Sequence, residues 1–201
     1  MLGPQRQISC IILAGGKNAR LAQEKAFLRI GERTIIEEQE DTLSKIFDEI
    51  IIVTNTLDNF KNIKAKVVND IVPDSGPLGG LYSGLAVSSN IHSFLIGCDM
   101  PFINLNLIEY MIQQIGESDI VIPSSSRGFE TLFAIYSLNC LETIRREIEL
   151  RNLKLLDILN FYKVKYISQE EIEKFDPEEF SFFNVNSPKD YEKALKIWLK
   201  R

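Results

Sequence analysis

Short runs of consecutive apolar residues alternate along this chain with segments in which apolar residues recur every three or four positions. The continuous runs predict buried strands at 8–14, 49–53, 64–68, 93–97, 119–123, 131–136 and 162–167. The periodic segments predict helices at 34–46, 105–115, 139–150, 153–159 and 189–200, with another ending near residue 88. Alternating strands and helices are typical of a parallel sheet whose faces are covered by helices. We therefore predict an α/β fold with a mostly parallel central sheet.

The size and charge of the chain narrow the classes of protein to which it can belong. A chain of 201 residues, 45% of them hydrophobic, predicts a single domain over 1–201 with one core. It has no apolar run of about 18 residues, and the polar segment 1–7 is unlike a signal peptide, so we expect no membrane partner and a cytoplasmic location. The net charge of −5 argues against nucleic-acid binding. Any phosphate ligand should therefore be small.

The first predicted strand runs directly into two glycines that are followed by spaced cations. Gly15 and Gly16 lack a Cβ, so a phosphate can approach the backbone N–H groups. Arg20 can grip two phosphate oxygens at once, whereas Lys25 acts as a mobile point charge. The spacing matches neither a Walker A loop nor a dinucleotide fingerprint. It therefore predicts a phosphate-binding loop of another class.

A second glycine-rich segment, at 75–81, precedes the helix that is predicted to end near residue 88. Exposed N–H groups at the start of a helix suit a polar ligand group, and glycines let a flat base lie close to the backbone. An ordinary turn explains Gly-Pro-Leu-Gly-Gly equally well when it is considered alone. Together with the first loop, the segment indicates contact with a nucleotide.

The strand at 93–97 is followed by Asp99, which we expect at the same edge of the sheet as the first loop. A carboxylate there can bind Mg²⁺, because this ion prefers a few oxygen ligands and bridges substrate phosphates. The alternative is that Asp99 caps the helix beginning near Asn104, which is a long reach for a cap. We therefore predict that Asp99 is a metal ligand and that Mg²⁺ is the cofactor.

The cysteines and the single histidine are expected to take no part in the chemistry. Cys10, Cys98 and Cys140 are too few and too far apart for a structural zinc site, and free cysteines are usually buried. His92 falls in a predicted polar turn at 88–93 and is expected at the surface. Any catalytic chemistry of this protein should therefore proceed without a histidine side chain as the base.

The segment Leu13-Ala14-Gly15-Gly16-x-x-x-Arg20-Leu21, followed by Lys25, resembles the signature L-A-G-G-x-x-x-R-M/L-G of a family of nucleotidyltransferases. Within that family the chain is most similar to the molybdenum cofactor guanylyltransferases, the MobA-like branch. The resemblance implies a three-layer α/β/α, Rossmann-like nucleotidyltransferase fold with a nucleotide-binding half at about 8–100 and an acceptor-binding half at about 101–201. It also implies nucleotide contacts from Leu13, Ala14, Gly15, Gly16, Lys25, Asp70, Gly80 and Asp99.

The resemblance extends to the carboxyl terminus, where Phe182-Phe183-Asn184-Val185-Asn186-Ser187-Pro188 is similar to the family segment F-x-N-x-N-T/S-P. This similarity implies that Asn184 lies near the acceptor substrate and that Asn186 braces the same loop. Both asparagines are therefore assigned to the acceptor-binding site.

The residues themselves suit nucleotidyl transfer, in which an acceptor phosphate attacks the α-phosphorus of a nucleoside triphosphate. A phosphate monoester already carries negative charge and needs no strong base, so Arg20, Lys25 and Asp99 would act by positioning and charge neutralisation. The resemblance further implies that GMP is transferred from GTP to the terminal phosphate of molybdenum-molybdopterin, with release of pyrophosphate. Cofactor-insertion proteins are further expected partners, and the ordinary apolar content favours a monomer.

Two other functions remain open at this point. A CTP-dependent molybdopterin cytidylyltransferase, or an enzyme for another small phosphorylated acceptor, would share the first loop. A nucleotide-binding adaptor without catalytic activity would hand the cofactor to an apo-enzyme, but it would not need the pyrophosphate and metal ligands Arg20, Lys25 and Asp99.

Overall fold

The computed structural model describes residues 8–14, 25–61 and 63–200. The strands are β1 (Ser9–Leu13), β2 (Arg29–Ile30), β3 (Arg33–Thr34), β4 (Glu49–Thr54), β5 (Lys66–Asn69), β6 (His92–Gly97), β7 (Ile120–Ser125), β8 (Gly128–Phe129), β9 (Phe133–Ser137) and β10 (Val164–Ile167). The α-helices are α1 (Ile35–Leu43), α2 (Gly76–Val87), α3 (Leu105–Gln113), α4 (Leu141–Glu149), α5 (Gln169–Glu173) and α6 (Pro188–Trp198). Short 3₁₀ helices occupy Leu57–Phe60, Leu138–Cys140, Leu155–Phe161 and Phe180–Phe182.

The central sheet has the strand order β10-β7-β9-β6-β1-β4-β5, with β8 paired to β7. Strand β1 is parallel to both β4 and β6, β5 is parallel to β4, and β10 is parallel to β7. Only β9 within this order runs antiparallel to its neighbours, β6 and β7. The predicted mostly parallel sheet is confirmed.

Two apolar layers lie on the two faces of the sheet. Cys10 and Ile12 of β1 pack in the layer that contains apolar residues of α1, α3 and α5. Ile11 and Leu13 pack in the opposite layer with residues of α2, α4 and the 3₁₀ helix Leu155–Phe161. Because successive side chains of a strand point to opposite faces, one buried strand serves both layers. The predicted three-layer α/β/α arrangement is confirmed.

Side-chain caps define where several helices begin. Thr34 and Glu37 form a capping box at α1. The spacing of Ser168 and Glu171 in the sequence also predicts a capping box, and these residues form it at α5. The Ser187 side chain accepts a hydrogen bond from the Asp190 N–H at the start of α6, whose first residue is proline. Helix α1 ends at Leu43, a little earlier than predicted, and the 3₁₀ helix Leu155–Phe161 replaces the predicted helix at 153–159.

The structure corrects two predictions about loops. His92 is the first residue of β6 rather than part of a turn, because antiparallel β9 offers Ser137 as its pairing partner. The polar segment 124–128 predicts a loop from sequence, but Ser124 and Ser125 belong to β7 and pair with Phe129 and Gly128 of β8. The three cysteines are buried as predicted, and no helix within the described residues is long and apolar enough to cross a membrane.

Candidate active site

A cleft opens at the carboxyl ends of the parallel strands β1, β4, β5 and β6. Ligands of open α/β sheets generally bind at this edge. Four residues predicted to contact the nucleotide, Leu13, Asp70, Gly80 and Asp99, line it together. The remaining lining residues are Val53, Gly76, Pro77, Gly97, Cys98 and Leu132.

Hydrogen bonds between neighbouring strands fix the floor of the cleft. The Ala14 N–H donates to the Val53 carbonyl over 2.9 Å, and the Cys98 N–H donates to the Leu13 carbonyl over 3.0 Å. The Thr54 hydroxyl donates to the Ala14 carbonyl at 3.2 Å. The chain therefore leaves β1 in a defined direction at the point where the predicted phosphate loop begins. Of that loop, Gly15, Gly16 and Arg20 lie outside the described residues.

The second glycine-rich segment is helical rather than a loop. Helix α2 begins at Gly76, so Gly80 lies in its second turn, and a Cβ on Gly80 would stand 2.8 Å from Cδ2 of Leu13. One turn further, a Cβ on Gly84 would stand 2.6 Å from Cγ2 of Ile11. Gly80 and Gly84 therefore let α2 pack closely against β1, a packing role that the sequence did not indicate.

Asp70 is held in place by a residue that the sequence did not single out. Its Oδ1 accepts hydrogen bonds from the Ser83 hydroxyl at 2.8 Å and from the Val72 N–H at 3.1 Å. Ser83 is buried on α2 and also accepts a bond from the Ile71 N–H at 2.9 Å. The carboxylate of Asp70 is therefore oriented by α2 where it lines the cleft.

Asp99 follows β6 in a turn that packs against the carboxyl-terminal segment. Its carbonyl accepts a hydrogen bond from the Val185 N–H at 2.8 Å, and the Met100 N–H donates to the Gly97 carbonyl at 3.3 Å. Asp99 does not cap α3, because Asn104 caps that helix through a 3.1 Å bond from the Leu107 N–H. The alternative to a metal role that the sequence left open is thereby removed.

The environment of the Asp99 carboxylate suits a cation. Burial raises the pKa of Asp99 above its ordinary value, and the positive charge of Lys25 opposes this shift only in part. The Lys25 Nζ lies 3.9 Å from Oδ2 of Asp99, which is too far for a hydrogen bond. Within the described residues, no three His, Cys, Asp or Glu side chains are grouped to hold a metal. A divalent ion at Asp99 would therefore need its remaining ligands from substrate oxygens and water.

Lys25 joins this cleft to a second cavity. Its ammonium donates a 2.8 Å hydrogen bond to Oδ1 of Asn186. The cavity has a volume of about 270 Å³ and is lined by Lys25, Leu28, Val185, Asn186, Ser187, Pro188 and Tyr191. Its position beside Lys25 suits a second substrate.

The two asparagines of the carboxyl-terminal motif are placed differently. The Asn184 side chain donates to the Phe182 carbonyl at 3.0 Å and so bonds within its own loop. Asn186 instead presents its side chain to Lys25, while its N–H donates to Asp190 at 3.1 Å. The structure thus places Asn186, rather than Asn184, beside the charged centre of the site.

Comparison with known proteins identifies the class of protein. The fold is the Rossmann-like nucleotidyltransferase fold: the crystal structure of molybdopterin-guanine dinucleotide biosynthesis protein A from Archaeoglobus fulgidus matches with a TM-score of 0.82 at 24% identity, covering 96% of this chain and 100% of that one. The MobA-like NTP transferase domain model matches residues 10–163. The chain belongs to this family.

Curated relatives match over almost the whole length. A probable molybdenum cofactor guanylyltransferase of Natranaerobius thermophilus is 37% identical over 195 residues, covering 94% of this chain and 95% of that protein. The molybdenum cofactor guanylyltransferase of Desulfosudis oleivorans is 33% identical over 189 residues, covering 93% and 94% respectively. The similarity therefore includes both the cleft and the carboxyl-terminal segment.

Proposed function

We propose that this protein transfers GMP from GTP to the terminal phosphate of molybdenum-molybdopterin, forming molybdopterin guanine dinucleotide and pyrophosphate. The observation that carries the proposal is the position of Lys25 between Asp99 of the nucleotide cleft and Asn186 of the second cavity. A cation at the border of two binding sites is suited to a phosphorus atom that passes from one substrate to the other. The relatives named as guanylyltransferases support the choice of GTP and molybdopterin.

The chain's own side chains would act by positioning and charge neutralisation. An oxygen of the acceptor phosphate forms a bond to the α-phosphorus, the bond to the bridging oxygen breaks, and pyrophosphate leaves with the electron pair. Lys25 would neutralise the α-phosphoryl oxygens during this step, and Asn186 would hold its ammonium in place. Arg20 and the N–H groups of Gly15 and Gly16 would bind the departing β- and γ-phosphates.

Asp99 would hold the divalent ion, which we propose is Mg²⁺. The carboxylate is partly buried, and Lys25 neutralises its negative charge only in part. These properties suit an ion that takes its other ligands from phosphate and water. When bound, the ion neutralises phosphate charge and orients the α-phosphate. Hydrogen bonds from the Val185 N–H to the Asp99 carbonyl and from the Met100 N–H to the Gly97 carbonyl would hold the backbone of Asp99 in place before the nucleotide arrives.

Asp70 and Gly80 would form the base end of the nucleotide site. The Asp70 carboxylate is oriented through Ser83 and offers an acceptor for donor groups on the edge of a base. Gly80 keeps α2 close to Leu13, which shapes the cleft beside Ala14. Guanine presents an exocyclic amine as a donor, and this suits a carboxylate partner.

The two halves of the chain would bind different substrates. Residues 8–100 would bind the nucleotide and residues 101–201 the acceptor, within a single domain. Asn186, and Asn184 through the loop that it braces, would contribute to acceptor binding. We propose a cytoplasmic monomer that passes its product to cofactor-insertion proteins.

The direct test is pyrophosphate release with Mg²⁺ and each of GTP, CTP, ATP and UTP, with and without molybdopterin. Release only with GTP and molybdopterin is the expected result. Release with CTP instead would assign the protein to cytidylyl transfer. Nucleotide binding without pyrophosphate release under any condition would contradict catalysis and favour the adaptor. Asp99→Asn is the matched variant, and it should retain GTP binding while losing turnover.

A further inference from the structure

A buried amide lies against the turn that carries Asp99. Gln39 of α1 is fully buried, although its neighbours on the same helix face, Ile36 and Leu43, are apolar. Its Nε2 donates one hydrogen bond to the Gly97 carbonyl and another to the Met100 carbonyl, each at 2.9 Å. Both hydrogens of the amide are therefore used on a single turn.

These two carbonyls belong to the first and last residues of the turn 97–100. The Gly97 carbonyl also accepts the 3.3 Å bond from the Met100 N–H that closes the turn. In addition, the Val185 N–H donates a 2.8 Å hydrogen bond to the Asp99 carbonyl. The backbone around Asp99 is thus held by α1 through Gln39 and by the carboxyl-terminal segment through Val185.

The carboxylate of Asp99 depends on the shape of this backbone. A Cβ on Gly97 would stand 2.8 Å from Oδ1 of Asp99, so the carboxylate folds back over a position where only glycine leaves room. A change in the backbone conformation of residues 97–100 would therefore displace both carboxylate oxygens of Asp99. The side chain that spans those two residues is Gln39.

An apolar residue would suit this position of α1 better if packing were the only requirement. Gln39 lies in the layer formed by apolar residues of α1, β1 and β6. Burying an amide there is unfavourable unless its polar atoms are bonded, and the Oε1 atom has no partner among the described residues. The two hydrogen bonds to the turn therefore offset part of the free-energy cost of burying the Gln39 amide.

We infer that Gln39 is a positioning residue for Asp99: it sets the turn so that the carboxylate is aimed at the ion and the phosphates. This inference rests on the metal role proposed for Asp99 above. Residues that orient a metal ligand typically change metal affinity or activity by about 10- to 100-fold when they are replaced. Gln39 would act in this way through the backbone rather than by touching substrate.

The test uses Gln39→Met, which keeps an unbranched side chain of similar size and removes both donors. Mn²⁺ binding to the full-length protein with GTP would be followed through the EPR signal of free Mn²⁺, relative to the same titration of GTP without protein, because GTP itself binds Mn²⁺. We expect the Mn²⁺ dissociation constant to rise about tenfold and kcat to fall by a similar factor, with a much smaller change in the KM for GTP. Gln39→Asn, whose amide is one methylene shorter, should weaken Mn²⁺ binding in the same direction and serves as the second variant.

Leu43→Ala is the matched control. Leu43 lies one turn further along the same buried face of α1, and its removal leaves a cavity without affecting a hydrogen bond to the turn. It should lower the melting temperature but keep the wild-type Mn²⁺ affinity. Wild-type Mn²⁺ affinity in Gln39→Met, or equal weakening in Leu43→Ala, would overturn the inference.

Asp99→Asn, measured in the same titration, separates this inference from the proposed function. If Asp99→Asn binds Mn²⁺ as the wild type does, the metal role of Asp99 fails and the role of Gln39 fails with it. If Asp99→Asn loses Mn²⁺ while Gln39→Met keeps it, only the role of Gln39 is refuted. Weak binding in both variants, with normal binding in Leu43→Ala, supports both.

Discussion

The ammonium of Lys25 donates a hydrogen bond to Oδ1 of Asn186 over 2.8 Å, although the two residues are 161 positions apart in the chain. The same ammonium lies 3.9 Å from Oδ2 of Asp99. The ammonium is thus hydrogen-bonded to a neutral amide and lies beyond hydrogen-bond distance of the Asp99 carboxylate. A lysine held in this way remains available to a phosphate, and Asp99 remains available to a cation.

Asn186→Ala should therefore lower turnover. Without the amide, Lys25 can move onto Asp99 and compete with the divalent ion for its carboxylate. A hydrogen bond to a charged group contributes about 1.5 kcal/mol or more, so we expect kcat to fall about tenfold and the Mg²⁺ requirement to rise. Titration of pyrophosphate release with Mg²⁺ measures both quantities.

Asn139→Ala is the matched control for that change. Its side chain donates a 2.8 Å hydrogen bond to Asp119. Asn139 lies two residues beyond Ser137, which pairs with the first residue of β6. It is therefore at the end of the sheet away from the candidate site. This variant also loses an asparagine bond to a charged group, and it should keep wild-type kinetics. Wild-type Mg²⁺ dependence in Asn186→Ala would contradict the role given to Asn186.

Replacing Lys25 itself should have a larger effect. Lys25→Ala removes the charge between the two cavities, and loss of one group that stabilises a transition state typically lowers kcat by about 10² or more. Lys163→Ala, which removes an exposed ion pair of 2.8 Å with Glu117, is the control and should be without effect. Single-turnover rates at saturating GTP provide the measurement. A rate within about twofold of wild type in Lys25→Ala would refute the proposed role.

Gly80→Ala and Gly84→Ala form a matched pair on one face of α2. Each new methyl group would meet a side chain of β1, Leu13 in one case and Ile11 in the other. Overpacking costs about 1 to 3 kcal/mol, and the better helix propensity of alanine offsets about 1 kcal/mol. Both variants should therefore lose about 1 kcal/mol in the free energy of unfolding, as measured by urea denaturation.

Only one member of this pair should affect the nucleotide. Gly80 lines the cleft, so the displacement of Leu13 in Gly80→Ala should raise the KM for GTP, whereas Gly84→Ala should leave it unchanged. Equal KM values in the two variants would show that α2 contributes stability to this region but no nucleotide contact at Gly80.

Ser83→Ala tests how Asp70 is oriented. It removes the 2.8 Å bond to Oδ1 and should cost about 1 kcal/mol, so we expect the KM for GTP to rise about fivefold with kcat little changed. The control is Ser44→Ala, which removes a 2.9 Å bond to the Asp41 carbonyl at the exposed end of α1. An unchanged KM in Ser83→Ala would mean that the Val72 N–H alone is sufficient to orient Asp70.

Much of the fold could be predicted because the inner strands β1, β4, β6, β7 and β9 are almost entirely buried and therefore read as mostly apolar runs. The two residues of β8 could not, because their strand character comes from pairing with Ser124 and Ser125. His92 joins β6 for the same reason, through Ser137 of β9. Local pattern fails where a strand is defined by its neighbour in the sheet rather than by its own composition.

The residues of the candidate site also divide into those that the local sequence could indicate and those that it could not. Asp99 could be placed at the ligand edge because it closely follows the strand at 93–97, whereas Asp70 was indicated only by the resemblance to the nucleotidyltransferase family. Gln39 and Ser83 could not be assigned, because their partners lie in other segments, 58 positions away for Gly97 and 13 for Asp70. Gln39 did leave a signal, since it interrupts an otherwise apolar helix face.

The partly buried carboxylate of Asp99 lowers the stability of the folded protein in a way that depends on pH. Burial raises the pKa of Asp99, so between the ordinary aspartate pKa of about 4 and this raised value the folded protein holds a proton that the unfolded chain has released. The free energy of unfolding must then fall as the pH rises through that interval. Above the interval, ionised Asp99 destabilises the folded state.

Asp99→Asn should consequently be more stable than the wild type at neutral pH in the absence of metal and nucleotide, even though it loses turnover. The difference should disappear below about pH 4, where Asp99 is protonated in both states. Asp190→Asn is the control of opposite sign, because hydrogen bonds from Ser187 and Asn186 lower the pKa of Asp190, so this variant should be less stable at neutral pH. Urea denaturation of the three proteins across this pH range provides the measurement. An Asp99→Asn variant less stable than wild type at neutral pH would show that the carboxylate is stabilised by its surroundings, contrary to the effect of burial.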